Sequence, residues 1–305
     1  MQDVDAVVTA HTGHDSEVVA SPAGQIRTSV ADRPVLDARG EWTPPRQLLR
    51  EVWDARDLIA TLARKDFFVR YRRASFGVAW AVLLPVIQAA VLTEVFQHFR
   101  AIRSGTHGSL PVYVFTGMTV YTFFTTTVTS SSTSIVDGAG LSSKIYFPRA
   151  VLPLISVRSN LYAFACSLVI LIVMSVMFGT HLDAHVLLLV PGVLLLVWVT
   201  ASAGLTLSAL HVYFRDVRYI VAAIFSGLLY LSPVFLPLRI YPPSIRWIVL
   251  VNPVSGVIEL FRLAITGADP QWPLAITFAV AWAVFLTATA VYLHCRRNRV
   301  FVDLL

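Results

Sequence analysis

Residues 64–85 read RKDFFVRYRRASFGVAWAVLLP. Arg64, Lys65, Arg70, Arg72 and Arg73 crowd its first half, interleaved with Phe67, Phe68 and Tyr71 and with one acid, Asp66. Cations in this density bind anions: lipid headgroups or the acidic surface of a protein partner. The aromatic rings suit headgroup depth. Charge then disappears within a few residues, so the run also sets which side of a membrane the following segment starts from.

A second cluster is the hydroxyl run TFFTTTVTSSSTS, Thr122 to Ser134. Two readings stand. Hydroxyls can bond their own helix carbonyls at i−4 while small residues pack helices closely. Alternatively they form a polar wall along a pathway for a hydroxylated cargo such as a sugar chain. Among acids, Glu94 falls near the end of an apolar stretch and calls for a partner such as Arg262, Arg100 or Arg103, as an ion pair or as part of a gate. Glu259 and Arg262 stand at i,i+3, the spacing of a local helix pair that would also bear on closure. Arg158, inside an apolar stretch, either snorkels to headgroups or touches a lipid diphosphate. His181 and His185 flank Asp183 at i,i+4, but further ligands are not evident and no metal is expected. Cys166 and Cys295 suggest neither a disulfide framework nor a metal site.

The elements that position these groups follow from composition. Of 305 residues, 56% are hydrophobic and only 14% charged, against about 25% charged in a soluble domain. Mean hydropathy is +0.68. The chain is therefore an integral membrane protein, all-α, and its net charge of +6 points to the membrane surface rather than to nucleic acid. Residues 1–43 are polar and carry no signal peptide; they are expected to form a disordered cytoplasmic tail. Residues 44–75 form an amphipathic interface helix opened by Pro44-Pro45, with Leu48, Val52, Ala55, Ile59 and Leu62 at helical spacing.

Residues 76–305 form the transmembrane domain, with six expected spans. They run roughly Phe76–Phe99, Leu110–Ile135, Ala150–Phe178, Val186–Leu210, Arg218–Leu236 and Pro273–His294. One set of connections holds Arg64 to Arg73, Lys144, Arg149, Arg215, Arg218, Arg296, Arg297 and Arg299; the other holds Arg100, Arg103, Arg239, Arg246 and Arg262. The richer set belongs in the cytoplasm, with both termini inside. About 238–268, Pro242, Pro243 and Pro253 break a semi-apolar segment into pieces too short to cross, which reads as re-entrant or interfacial helices at the external mouth.

The chain holds no G-x-x-x-x-G-K-[ST] loop, so any ATP and Mg2+ would be bound by another chain, and none by this one. A membrane-bound glycan enzyme would need clustered carboxylates, whereas Asp137, Asp183, Asp216 and Asp269 are isolated. A secondary transporter would show paired broken helices in two halves.

Four motifs carry a resemblance. Arg70, Tyr71, Arg72, Arg73, Phe76, Gly77, Trp80 and Pro85 form the first; SSKIYFPRAVLP (Ser142–Pro153), YFRDVRYI (Tyr213–Ile220) and NPVSGVIELFR (Asn252–Arg262) follow in order. Over about residues 45–305 the chain resembles ABC-2 type permeases, the membrane subunits of polysaccharide ABC exporters that move O-antigen, teichoic acid, capsule or galactan chains. The resemblance implies a homodimer in a bacterial plasma membrane, two copies of a separate ATPase, and a lipid-diphosphate-linked glycan as cargo. It implies an ATPase-coupling surface at Arg64, Lys65, Asp66, Arg70, Tyr71, Arg72, Arg73, Lys144, Arg149, Arg215 and Asp216. Tyr113, Phe115, Tyr121, Phe123, Phe124, Thr125 and Thr129 would line the pathway, with core packing the competing role for the aromatics. Glu94, Asn252, Pro253, Glu259 and Arg262 would belong to the external gate. The alternatives are an ABC-2 exporter of drugs or small lipids, and a membrane-bound glycan enzyme.

Overall fold

The computed structural model describes residues 44–72, 74–96, 98, 109–138, 140, 147–180, 183–267 and 273–297. Among these the fold is wholly helical, with no strand. The interface segment is two helices rather than one: α1 (Pro45–Asp54) opens on a proline, and α2 (Arg56–Tyr71) follows after a break at Ala55. Ile59, Ala63 and Phe67, four residues apart, form the buried stripe of α2, which lies against α5. Leu48 anchors α1 beside Ala150 and Cys295.

After a 3-10 turn at Gly77–Ala79 comes α3 (Trp80–Phe96), whose Leu84, Ile87, Val91 and Val95 face outward, as a helix bathed by lipid requires. Next are α4 (Leu110–Asp137), α5 (Val151–Met177) and α6 (Leu189–Tyr213), the last entered through a 3-10 turn at Ala184–Leu188. The chain continues with α7 (Val217–Leu228), α8 (Pro243–Val251), α9 (Pro253–Thr266) and α10 (Pro273–Arg297).

Among the described residues, four helices are long and apolar enough to cross a membrane: Gly77–Val95, Val151–Met177, Ala184–Tyr213 and Pro273–Arg296. A fifth crossing would require α8 and α9, bent by 83°, to count as one broken span. The six expected spans are thus not all present as such among the described residues, and two physical causes explain the difference. The second expected span exists as α4, 28 residues long and so about 42 Å, but its hydroxyls lower its hydropathy. It is an interior helix, packed by α3, α5, α6, α7 and α9. The fifth expected span is helical only over the 12 residues of α7; beyond it Pro233 and Pro237 deny the backbone its helical bonds.

Close approach makes α4 the hub. Its hydroxyls turn back on their own carbonyls: Thr116 onto Val112 at 2.7 Å, Thr125 onto Tyr121 at 2.9 Å, Ser134 onto Ser131 at 2.7 Å. Small residues then admit neighbouring backbones. A Cβ at Gly117 would stand 2.7 Å from the Val234 carbonyl, and one at Gly204 would stand 2.7 Å from the Ser131 Cβ.

Candidate functional site

Three polar constructions interrupt the apolar interior. The first ties the interface helix to the bundle. Arg70, in the last turn of α2, donates through Nη1 to Asn160 Oδ1 at 2.7 Å and through Nη2 to Asp66 Oδ2 at 3.2 Å. Ser159 donates to the same Asp66 oxygen at 2.6 Å, and Asn160 Nδ2 reaches Ser130 Oγ at 3.0 Å and the Ser156 carbonyl at 2.9 Å. The network joins α2, α4 and α5, and each of its side chains is bonded to at least one other, which ties the interface helix into the apolar bundle.

The second is a groove of about 300 Å³ between α3, α4 and α5, with Arg70 and Tyr71 of α2 also in its lining. Trp80, Leu84 and Gln88 line it from α3, and Phe164 and Asn160 from α5. From α4 come Thr119, Thr122, Phe123 and Thr126, one face at i, i+3, i+4 and i+7.

The third holds the break after α7. Arg262 and Glu259, both almost fully buried, pair at 3.1 Å. The other terminal nitrogen of Arg262 donates to the Pro233 and Val234 carbonyls, which no helix satisfies. Its guanidinium carbon stands 3.5 Å from the Tyr113 ring centroid. Asn252 caps α9, accepting from the Val254 amide at 3.0 Å, and donates to Ser232 Oγ at 2.7 Å and to the Leu231 carbonyl. Tyr241 donates to the Tyr230 and Ser232 carbonyls, and burial, opposed by the Arg262 charge, pushes its hydroxyl up to about 12, so it remains a protonated donor.

A family model described as ABC-2 type transporter matches residues 57–266. The chain belongs to the ABC-2 type transporter family. The match starts in α2 and ends on the last residue of α9, so it encloses all three constructions. The chain is 28% identical over 245 residues to the O-antigen export system permease protein RfbA of Myxococcus xanthus, covering 78% of this chain and 93% of that protein. It is 23% identical over 238 residues to the protein of the same name in Klebsiella pneumoniae, covering 77% of this chain and 91% of that one. A further Klebsiella pneumoniae RfbA is 25% identical over 207 residues, 68% of this chain and 79% of its own length.

Within this ABC-2 chain the expected coupling residues divide. Arg64, Lys65 and Arg72 are exposed, as are Arg215 and Asp216 at the turn between α6 and α7. Asp66 and Arg70, expected on a seam with a partner, are committed to Asn160 and Ser159 of their own chain, with part of each side chain still exposed. Tyr71 is half-buried and packs on Phe67. Arg149 is half-buried, and burial lowers the pKa of its guanidinium. Arg73 and Lys144 lie outside the described residues.

The expected pathway aromatics are buried in the interior of the chain. Phe115 is fully buried, Tyr113 lies under Arg262, and Tyr121 donates to the Phe225 carbonyl. Phe124 packs on Phe225, and Phe123 packs on Phe164 at 4.7 Å between ring centroids while also lining the groove. Thr125 is half-buried and Thr129 exposed. Of the expected gate residues, Asn252, Pro253, Glu259 and Arg262 come together on α9 and its cap. Glu94 is exposed on α3, and the acid paired with Arg262 is Glu259. Arg158 is exposed near the start of α5. His181 lies outside the described residues, among which no three His, Cys, Asp or Glu side chains gather as for a metal. Asn160 and Thr119 escaped the sequence reading; an amide inside an apolar span was the available signal for Asn160.

Proposed function

We propose that this chain is the membrane subunit of an ATP-driven exporter that carries a lipid-diphosphate-linked polysaccharide across a bacterial plasma membrane. The observation that carries the reading is the relation to O-antigen export permeases over more than three-quarters of this chain and over nine-tenths of the first two relatives. Two copies of the chain enclose the pathway, and two copies of a separate ATPase bind ATP and Mg2+ beneath them. Both termini are cytoplasmic, on the side of Arg64, Lys65 and Arg72.

The chemistry of the fold supports this division of labour. A chain without a phosphate-binding loop needs a partner to hydrolyse nucleotide. The exposed cations of α2 and the Arg215–Asp216 turn offer that partner a charged contact surface. The Asp66–Arg70–Asn160 network would pass its motion into α4 and α5 as one body. The bent pair α8–α9, held by Arg262, would form the outer closure. Lipid around the dimer completes the site.

Reconstitution tests the reading. Proteoliposomes containing this chain and its ATPase should move lipid-linked glycan to the opposite leaflet only when ATP is present. Movement by the chain alone would overturn the proposal.

A further inference from the structure

We propose that the groove between α3, α4 and α5 is a binding site for a glycosyl phosphate, with the phosphate on Arg70 and the sugar hydroxyls along Thr119, Thr122 and Thr126. The export reading supplies the source of such a ligand; the side chains supply the chemistry.

Arg70 is the cation among the groove's lining residues, and Asp66 and Asn160 hold its guanidinium in one orientation. Two of its N–H groups are committed to them, while its side chain remains 34% exposed. A guanidinium has five N–H donors, so a fixed fork remains for a phosphate oxygen. Among the other lining residues, Thr119 is 3% exposed and its hydroxyl oxygen has no hydrogen-bond partner among the described residues. A buried hydroxyl left unpaired is costly, and an occupant with its own hydroxyl would remove that cost.

The separation fits one class of molecule. Asn160, the partner of Arg70, bonds Ser130, so the Arg70 guanidinium stands near the level of Ser130 on α4. From there to Thr119 is about 16 Å along the helix, the reach of a phosphate joined to a short saccharide. Inorganic phosphate would not reach Thr119, and an acyl chain would leave its hydroxyl unpaired. Trp80 and Phe123 in the walls offer flat apolar faces beside the threonines, the mixture of apolar surface and a few placed polar groups that small-molecule sites use.

The test is calorimetric titration of the full chain in phosphatidylcholine discs. The probes are farnesyl-diphosphate-linked N-acetylglucosamine and farnesyl diphosphate without sugar. Thr119→Val should weaken the glycosylated probe about three- to tenfold and leave the sugar-free probe unchanged. The same variant should melt no lower than the parent, because it removes an unpaired hydroxyl. Thr122→Val should behave similarly. Arg70→Gln should weaken both probes about tenfold or more, with Arg70→Lys restoring part. The two threonine variants carry the test if Arg70→Gln disturbs the packing of α2. Equal binding of both probes, no effect of Thr119→Val, or no binding of the glycosylated probe would each overturn the site. The assay contains no ATPase and no transport, so those outcomes leave the export reading standing; that reading is tested separately, by reconstitution with the ATPase and by depletion in the host.

Discussion

The Arg262 guanidinium lies face-on against Tyr113, its central carbon 3.5 Å from the ring centroid. One side chain of α9 is thereby fixed to the first turn of α4, while its nitrogens hold Glu259 and two carbonyls of the broken stretch after α7. Three separate segments meet at one cation, so this end of the bundle moves as a unit or must break this junction.

Arg262→Ala should therefore be severe. It leaves Glu259 buried without its cation and the Pro233 and Val234 carbonyls without a donor, a loss of about 3–5 kcal/mol. The expected result is a large drop in the melting temperature of the purified protein, with export falling in parallel. Glu259→Gln, which keeps a hydrogen-bond acceptor, should cost less. A melting temperature unchanged by Arg262→Ala would show that the junction holds nothing.

Gly256 and Gly227 give a paired test of helix packing. A Cβ at Gly256 would stand 2.1 Å from the Ala275 carbonyl oxygen and 2.8 Å from the Ile276 Cα, so α9 and α10 would have to part. Gly256→Ala should cost about 1–3 kcal/mol. Gly227, within α7, has nothing within 4 Å of its Cβ position, and Gly227→Ala should be neutral or gain up to about 1 kcal/mol from helix propensity. Thermal melting of both variants in one detergent decides this; equal behaviour would contradict the α9–α10 contact.

The exposed cations of α2 should act on coupling rather than on folding. Arg64→Gln, Lys65→Gln and Arg72→Gln combined should leave membrane insertion and melting unchanged while lowering ATP-driven export several-fold. Copurification of the ATPase with the variant checks where the loss arises. Unimpaired export would leave these residues only a topological role.

Asn160→Leu separates the internal staple from that surface. It removes the partner of Arg70 and the bridge to Ser130, and should cost about 1–3 kcal/mol because Arg70 loses an acceptor in a half-buried setting. Proteolysis of α2 in the intact protein should quicken. No change in protection would mean that α2 is held by its apolar stripe of Ile59, Ala63 and Phe67 alone.

Much of this was legible one residue at a time. Pro253 and the Glu259–Arg262 spacing announce α9, and the pair forms at i,i+3 as its spacing suggests. Continuous apolar stretches announce α3, α5, α6 and α10. What the sequence hides is which helix stands inside. Alpha-4 reads as one more span, yet its threonines and serines close onto its own carbonyls and let five other helices approach it. The unwinding after α7 is hidden too, because its carbonyls are satisfied by Asn252 and Arg262, some 20–30 residues further on. Arg70 and Asn160 lie 90 residues apart in the chain, so their bond follows only from the packing of α2 on α5. Short-range spacing exposes pairs on one helix; contacts between helices depend on a tertiary arrangement that no local pattern encodes.

The most direct test is to deplete the protein in its host and locate the lipid-linked glycan. Polysaccharide export predicts polymer trapped on the cytoplasmic face with synthesis intact, its sugar composition revealing the cargo. Normal surface glycan with no internal accumulation would contradict it.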